Sequence, residues 1–332
     1  MRLAVIRPAT VVILFLLSAS HGTAAAQPAG KVPRVGYLTP WSDSDPGRQR
    51  GLEAFRQGLR ELGYVDGQNI AIESRSAEGK DDRLPALAAD LVRSKVDVIV
   101  ATSGAATRAV QLTTRTIPIV MSLVNDPVGS GLVASLARPG GNVTGLTIMA
   151  PDLLGKRLQL LKEVVPKVSR VALLRNPDNP ADTAMLREAE AAARALGVRF
   201  QILETRNPQE IEGAFAAMIR ERAGAFLGLS DAIFFTQRRQ IAELAAKGRL
   251  PSIGQSSAFP DAGWLMAYGP NLLDLERRAA TFVDRILKGA KPGDLLVELP
   301  TKFELVINLR TAKAIGLAIP PSLVQRADRI ID

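Results

Sequence analysis

The 332-residue chain contains no cysteine. Disulfide frameworks, thiolate metal sites and thiol nucleophiles are excluded, as is a lipid-modified cysteine at a leader cleavage point. One histidine is present, His21, and it falls inside the N-terminal leader described below. The exported chain therefore has no imidazole for a catalytic triad, a general base or a metal site. Phosphate-binding loops are missing too. No G-x-x-x-x-G-K-[ST] occurs, and neither Gly36 nor the glycines of Gly129-Ser130-Gly131 and Gly140-Gly141 make a G-x-G-x-x-G turn between strand and helix. Gly228-Leu229-Ser230-Asp231-Ala232 lacks the last glycine of a nucleophile elbow, and no histidine is available to serve it. These absences argue for no cofactor, no metal and no enzyme activity, although Asp/Lys/Ser chemistry stays open. Beyond the leader no apolar run approaches the roughly 20 residues a spanning helix needs.

The N-terminus carries a positive address. Arg2 and Arg7 precede an apolar run from Val11 to Ala19, and small residues follow to Ala24-Ala25-Ala26-Gln27. A basic start, a short apolar centre and an A-x-A site are the parts of a secretory signal peptide. Residues 1–26 are read as that peptide, which predicts a periplasmic protein, not lipid-anchored, beginning near Gln27. Lys and Arg number 42 against 33 Asp and Glu, a formal charge of +9; without Arg2 and Arg7 it is +7. The basic residues are scattered on helix faces beside acids, the pattern of a solvated surface, so no nucleic-acid partner is expected. The roughly 305 remaining residues fit two domains.

Strands and helices alternate almost to the end. Arg34–Leu38 reads as a strand. The helix after it, 48–62, places Leu52, Phe55, Leu59 and Leu62 on one face and stops at Gly63. Further strands are predicted at 69–73, 96–101, 117–124 and 143–148, with a short helix before the last. The run Val96–Ala101 is nearly all apolar, as in a strand covered on both faces. A second series, from the helix 153–165, has strands at 170–174, 198–203, 225–229, 252–254 and 264–268, separated by helices 181–196, 208–222 and 233–247. Helix 272–287, strand 305–308, a short helix and a tail after Pro320-Pro321 complete the chain. The alternation predicts an α/β fold with two Rossmann-like parallel-sheet lobes, and the last ~60 residues, too few for a third domain, complete both of them.

Ligands of open parallel sheets sit beyond the carboxyl ends of the strands. Those ends hold Thr39, Trp41, Ser42, Thr102, Ser103, Asn125, Asp126, Thr147, Asn176, Asp231, Gln255, Ser256 and Tyr268. Hydroxyls and amides dominate. Helix starts at Ser103 and Asp231 offer backbone N–H groups to a ligand carboxylate, Asp126 or Asp231 suits an ammonium, and Trp41 or Tyr268 an apolar part. Singly, each has a plainer reading: Ser103 and Asp231 stand where helix caps belong, Asn125-Asp126-Pro127 suits a turn and helix start, and Asn176–Pro180 is turn-like.

Several segments resemble the substrate-binding proteins of ABC transporters of the tryptophan/tyrosine type. They are Arg34–Leu38, Gly51-Leu52 through Gly63-Tyr64, Ala101-Thr102-Ser103, Asn125–Val133, Leu136–Gly145, Tyr268-Gly269, Lys288-Gly289 and Thr301–Asn308. The resemblance implies a type I periplasmic-binding fold with a multi-crossover hinge, a small solute (an amino acid or relative, possibly aromatic) held between the lobes, and an ABC permease at the inner membrane as partner. Ser230-Asp231-Ala232 departs from the Asp-Asn pair of tryptophan binders. Residues 31–149 with about 270–300 are expected to form the first lobe, and 150–269 with about 301–332 the second. A monomer is expected. A ligand-sensing module for a signalling receptor would use the same cleft, and the sequence does not separate the two uses.

Overall fold

The computed structural model describes residues 31–148, 153–179 and 182–332. The expected signal peptide, residues 1–26, lies outside them. Strand β1 (Arg34–Thr39), helix α1 (Pro46–Glu61), β2 (Ala71–Ser76), α2 (Leu84–Arg93), β3 (Val98–Ala101), α3 (Gly104–Thr113), β4 (Ile119–Val124) and β5 (Val143–Thr147) come first. They build a five-stranded sheet ordered β2-β1-β3-β4-β5, parallel throughout. Its central strands β3 and β4 carry apolar side chains on both faces, and helices cover both.

The second series runs α4 (Leu153–Val164), β6 (Arg170–Arg175), α5 (Asp182–Leu196), β7 (Arg199–Glu204), α6 (Glu210–Arg220), β8 (Ala225–Gly228), α7 (Ala232–Thr236), α8 (Arg238–Lys247), β9 (Ser252–Gly254), α9 (Ala258–Asp261) and β10 (Met266–Pro270). After α10 (Leu272–Leu287) come β11 (Phe303–Asn308), α11 (Leu309–Ile315), α12 (Pro321–Gln325) and β12 (Arg329–Ile331). The second sheet is ordered β12-β11-β10-β9-β8-β6-β7, and β10 pairs antiparallel with β11.

Helix α10 returns to the first sheet. Leu275, Ala279, Ala280, Phe282, Val283 and Ile286 form one apolar stripe that packs with Leu52, Phe55 and Leu59 of α1. The two helices approach closely at Gly58, where a Cβ would stand 2.0 Å from the Arg277 carbonyl oxygen. The connections between the sheets run side by side. Glu298 pairs beside Leu146 at the end of β5, the Asn271 N–H donates to the Lys302 carbonyl at 3.0 Å, and the buried Arg157 donates to the Tyr268 carbonyl at 2.7 Å.

Three sequence expectations differ from the structure. No helix forms between β4 and β5: residues 127–142 are turns, with Asp126 accepting the Gly129 N–H and Gly131 and Gly140 at positive φ. The single helix expected over 233–247 is two, parted at Gln237. The tail after Pro320 is a short helix and a strand, β12, held by β11 through long-range pairing that local sequence does not announce.

Candidate functional site

The loop after β1 is held from several sides. The Trp41 N–H donates to Thr39 Oγ1 at 3.3 Å, and Ser76 Oγ donates to the Trp41 carbonyl at 2.7 Å. Glu78 accepts from the Asp43 N–H at 3.0 Å and from the Ser42 hydroxyl. Those bonds, Ser42 first, hold its carboxyl down at about 2. Ser42 thus faces Glu78, while Trp41 projects toward the other lobe. Its ring centroid is 4.7 Å from that of Phe235 on α7, the planes inclined by 43°. The Arg238 guanidinium lies 4.6 Å over the Phe235 ring and pairs with Asp45 at 2.7 Å. Asp45 also caps α1, accepting from Gly47 N and Arg48 N. Burial pushes the Asp45 carboxyl up, but Arg238 and the two backbone N–H groups outweigh it, and the net shift is downward.

Behind this aromatic pair is a cavity of about 810 Å³, walled by both series of elements. Thr39, Trp41 and Thr102 line it, as do Phe235 and Arg238 from the opposite side. Thr102 is 1% exposed and its Oγ1 has no hydrogen-bond partner among the described residues. A buried hydroxyl in that condition is costly, and here it stands in a cavity wall. At the rim, Arg50 and Asp261 pair across the lobes at 3.0 Å.

A second polar cluster joins the lobes apart from this cavity. Asn125 Nδ2 donates to Ser230 Oγ at 3.0 Å, and Gln255 Nε2 to the same oxygen at 3.3 Å. Asn176 and Asn179 donate to Asp231 Oδ2 at 3.1 and 2.9 Å, while Asp231 Oδ1 caps α7 through the Ile233 N–H. Ser103 caps α3, accepting from the Ala106 N–H at 3.0 Å. Thr147 donates to the Val124 carbonyl at 2.6 Å, tying β5 to β4. Ser256 is buried without a partner for its hydroxyl among the described residues. Tyr268 stacks on Phe303 beside the crossovers, with centroids 6.4 Å apart. The structure thus gathers Thr39, Trp41 and Thr102 at the cavity, and Asn125, Asn176, Asp231 and Gln255 in the second cluster. Ser42 and Asp126 serve loops, Ser103 caps α3, and Thr147 ties β5 to β4.

Residues not singled out from the sequence as site candidates also line the cavity, among them Tyr37, Arg48, Leu123, Phe235, Arg238 and Glu276. Glu276 had a signal. It lies four residues after Leu272 and three before Ala279, a charge on the apolar stripe of α10. It is 3% exposed, and Ser122 Oγ and the Tyr37 phenol bond to it. Burial raises its pKa to about 7, and those two bonds oppose the rise. Burial, and next Glu276, raise that of Tyr37. No cluster of candidate metal ligands occurs among the described residues, nor any helix long and apolar enough to cross a membrane.

Comparison with known proteins places this geometry. A tyrosine-binding protein of Clostridioides difficile (strain R20291) is 26% identical over 274 residues, 82% of this chain and 78% of that protein. The structure of a Streptococcus pneumoniae ABC domain in complex with L-Trp superposes with a TM-score of 0.81 at 25% identity, covering 90% of this chain and 99% of the other. A conserved domain protein of Vibrio cholerae gives 0.81 at 26% identity, covering 90% and 100%. The family model described as ABC transporter substrate binding protein matches residues 43–331. With its two α/β lobes and the cleft between them, the chain belongs to the ABC transporter substrate-binding protein family.

Proposed function

We propose that this protein captures an aromatic amino acid between its two lobes and presents it to an ABC permease of the inner membrane. The observation that carries the reading is the cavity wall itself: Trp41 from one lobe and Phe235 from the other flank a space lined both by apolar residues such as Leu123, Leu272 and Leu273 and by the polar and charged groups of Thr39, Thr102, Arg48 and Glu276. Aromatic faces suit a planar side chain, and the Thr39 and Thr102 hydroxyls with the guanidinium groups suit a carboxylate. The tyrosine-binding and L-Trp-bound relatives support the same class. Residues 33–148 with 271–302 would move as one body and 153–270 with 303–332 as the other. A ligand touching both stabilises the closed arrangement through its differential affinity for it. Residues 1–26 direct export, and the exported protein works in the periplasm as a monomer without catalysis.

A thermal-shift series on the exported protein tests this. L-tyrosine, L-tryptophan and L-phenylalanine are compared with aliphatic and acidic amino acids. A ligand at 100 times its Kd adds about 2.7 kcal/mol to stability, a rise of several degrees. A shift confined to non-aromatic solutes, or absent from all three aromatics, overturns the proposed ligand class.

A further inference from the structure

The acids around the cleft are nearly all committed. Asp45 pairs with Arg238 and caps α1, Asp261 pairs with Arg50 and Arg329, and Asp231 is held by two asparagines and a backbone N–H. Glu304 accepts from Asn271 at 3.2 Å. Glu276 differs. Its hydrogen-bond partners are hydroxyls, Ser122 Oγ at 3.3 Å and the Tyr37 phenol, and among the described residues no Lys or Arg forms an ion pair with it.

Helix α10 packs against α1, β3, β4 and β5, and these elements supply few charges near the carboxyl. Strands β3, β4 and β5 carry no titratable residue, and β1 contributes Tyr37. From α1, Gly51 is the neighbour, where an added Cβ would stand 3.6 Å from Glu276 Cγ. Arg48 and Arg56 of α1 act on Tyr37, and Arg48 is paired with Asp43 at 2.7 Å. On α10 itself Arg277 and Arg278 pair with Asp274. Elsewhere the cavity is lined by Arg50, Arg238, Arg239 and Arg329 and by Asp45, Glu53, Asp261 and Glu304. A carboxylate without a cation in such a place is strongly disfavoured, yet this group lines a cavity large enough for a ligand.

We propose that Glu276 is the anchor for the ligand's ammonium group, and that the arriving cation displaces the carboxyl proton to solvent. This rests on the amino-acid reading above and names the residue that distinguishes an amine from its deaminated analogue. The balance is simple: a neutral carboxyl and a bound ammonium become a carboxylate–ammonium pair, and one proton leaves. With a free-state pKa of about 7, release approaches one proton per ligand below neutrality and vanishes well above it. Wild-type affinity then falls toward tenfold per pH unit below that value. The chain past its leader has no histidine, so few other groups titrate in that window.

The test is isothermal titration calorimetry of the exported protein with L-tyrosine and L-tryptophan at pH 6.5, in two buffers of contrasting ionisation enthalpy. The same titrations use 3-(4-hydroxyphenyl)propionate and indole-3-propionate, which lack the amine. Proton release with the amino acids but not with the analogues is expected, with E276Q abolishing the release and weakening amino-acid binding at least tenfold while leaving the analogues' affinities nearly unchanged. Should E276Q not fold, the wild-type comparison of amine and analogue decides alone. Amino acids that bind without proton release, or equally tight amine and analogue, overturn the assignment and leave the aromatic reading intact. No binding of either amino acid overturns both.

Discussion

Replacing Asp45 by Asn separates two jobs held by one carboxylate. Oδ1 caps α1 through Gly47 N at 2.7 Å and Arg48 N at 3.1 Å, whereas Oδ2 accepts from Arg238 across the cleft at 2.7 Å. Asparagine caps a helix about as well as aspartate, so α1 keeps its start. The amide nitrogen would, however, face the guanidinium, donor against donor. The side chains are 16% and 23% exposed, between the exposed ion pairs measured at about 0.2–1 kcal/mol and the charge-assisted bonds at about 1.5–3 kcal/mol. A loss of about 1–2 kcal/mol from the arrangement with touching lobes follows, roughly 5- to 30-fold in the closure equilibrium. Where the closed form is the minor one without ligand, the whole factor appears in the ligand Kd; where it dominates, the factor appears as expansion of the free protein. Calorimetry with L-tryptophan and small-angle scattering of the free protein together capture either case. Arg238→Met should weaken closure similarly, and the double variant should be little worse than either single one. Acid acts in the same direction: the Asp45 pKa is lowered on folding, so the pair contributes fully above the ordinary carboxylate range near pH 4 and is lost as pH falls through the lowered value. An unchanged Kd together with an unchanged radius of gyration for Asp45→Asn would refute the latch.

Two further substitutions separate packing from binding. Gly58→Ala places a methyl 2.0 Å from the Arg277 carbonyl oxygen and 2.9 Å from Ala280 Cβ. Overpacking of about 1–3 kcal/mol exceeds the gain of about 1 kcal/mol in helix propensity, so calorimetric Tm should fall, and a rise would contradict the α1–α10 contact. Thr102→Val removes a buried hydroxyl that lacks a partner; Tm should hold or rise slightly, while affinity for the aromatic amino acid weakens about fivefold, one hydrogen bond of roughly 1 kcal/mol. Equal affinity would remove Thr102 from the site.

Local pattern and chain order made much of the fold legible. The short apolar run Ser252–Gly254 forms a strand over those same residues, and the α1 stripe of Leu52, Phe55 and Leu59 is buried as its spacing requires. The rule that ligands lie beyond strand ends leads to Thr39, Trp41 and Thr102, which line the cavity, because that rule depends on sheet direction alone. Phe235 and Arg238 were missed because the break at Gln237 is invisible in a continuous helical pattern, yet the residues on its two sides reach Trp41 and Asp45 respectively. Glu276 was missed for another reason. It approaches from the side of a crossover helix, where no strand end points, and its sign in sequence is a charge among Leu272, Leu275 and Ala279. Strand β12 pairs with β11 over more than twenty residues of separation, a contact with no local cue.

The contacts around the crossovers bear on how the lobes would move. Arg157 fixes the start of α4 to the end of β10 through the Tyr268 carbonyl, and its own pKa is lowered to about 10 by burial. The backbone bond from Asn271 to Lys302 joins the link between β10 and α10 to the link between α10 and β11, and Thr147 N to Glu298 O joins the latter to the end of β5. These bonds tie the crossover segments to one another, and a rotation of the lobes about the crossovers would displace them least. The Trp41–Phe235 and Asp45–Arg238 contacts belong to the cleft, where the same rotation separates its walls most. Closure about the crossovers would concentrate its cost and its gain in the cleft, where the proposed ligand contacts with Thr102 and Glu276 on one lobe and Phe235 on the other would add their own share. Because Glu276 rides on α10, which packs with the first lobe although it follows β10 of the second, an ammonium held there acts at the first turns of the helix that connects them. On this proposal one helix would read both ligand chemistry and lobe geometry.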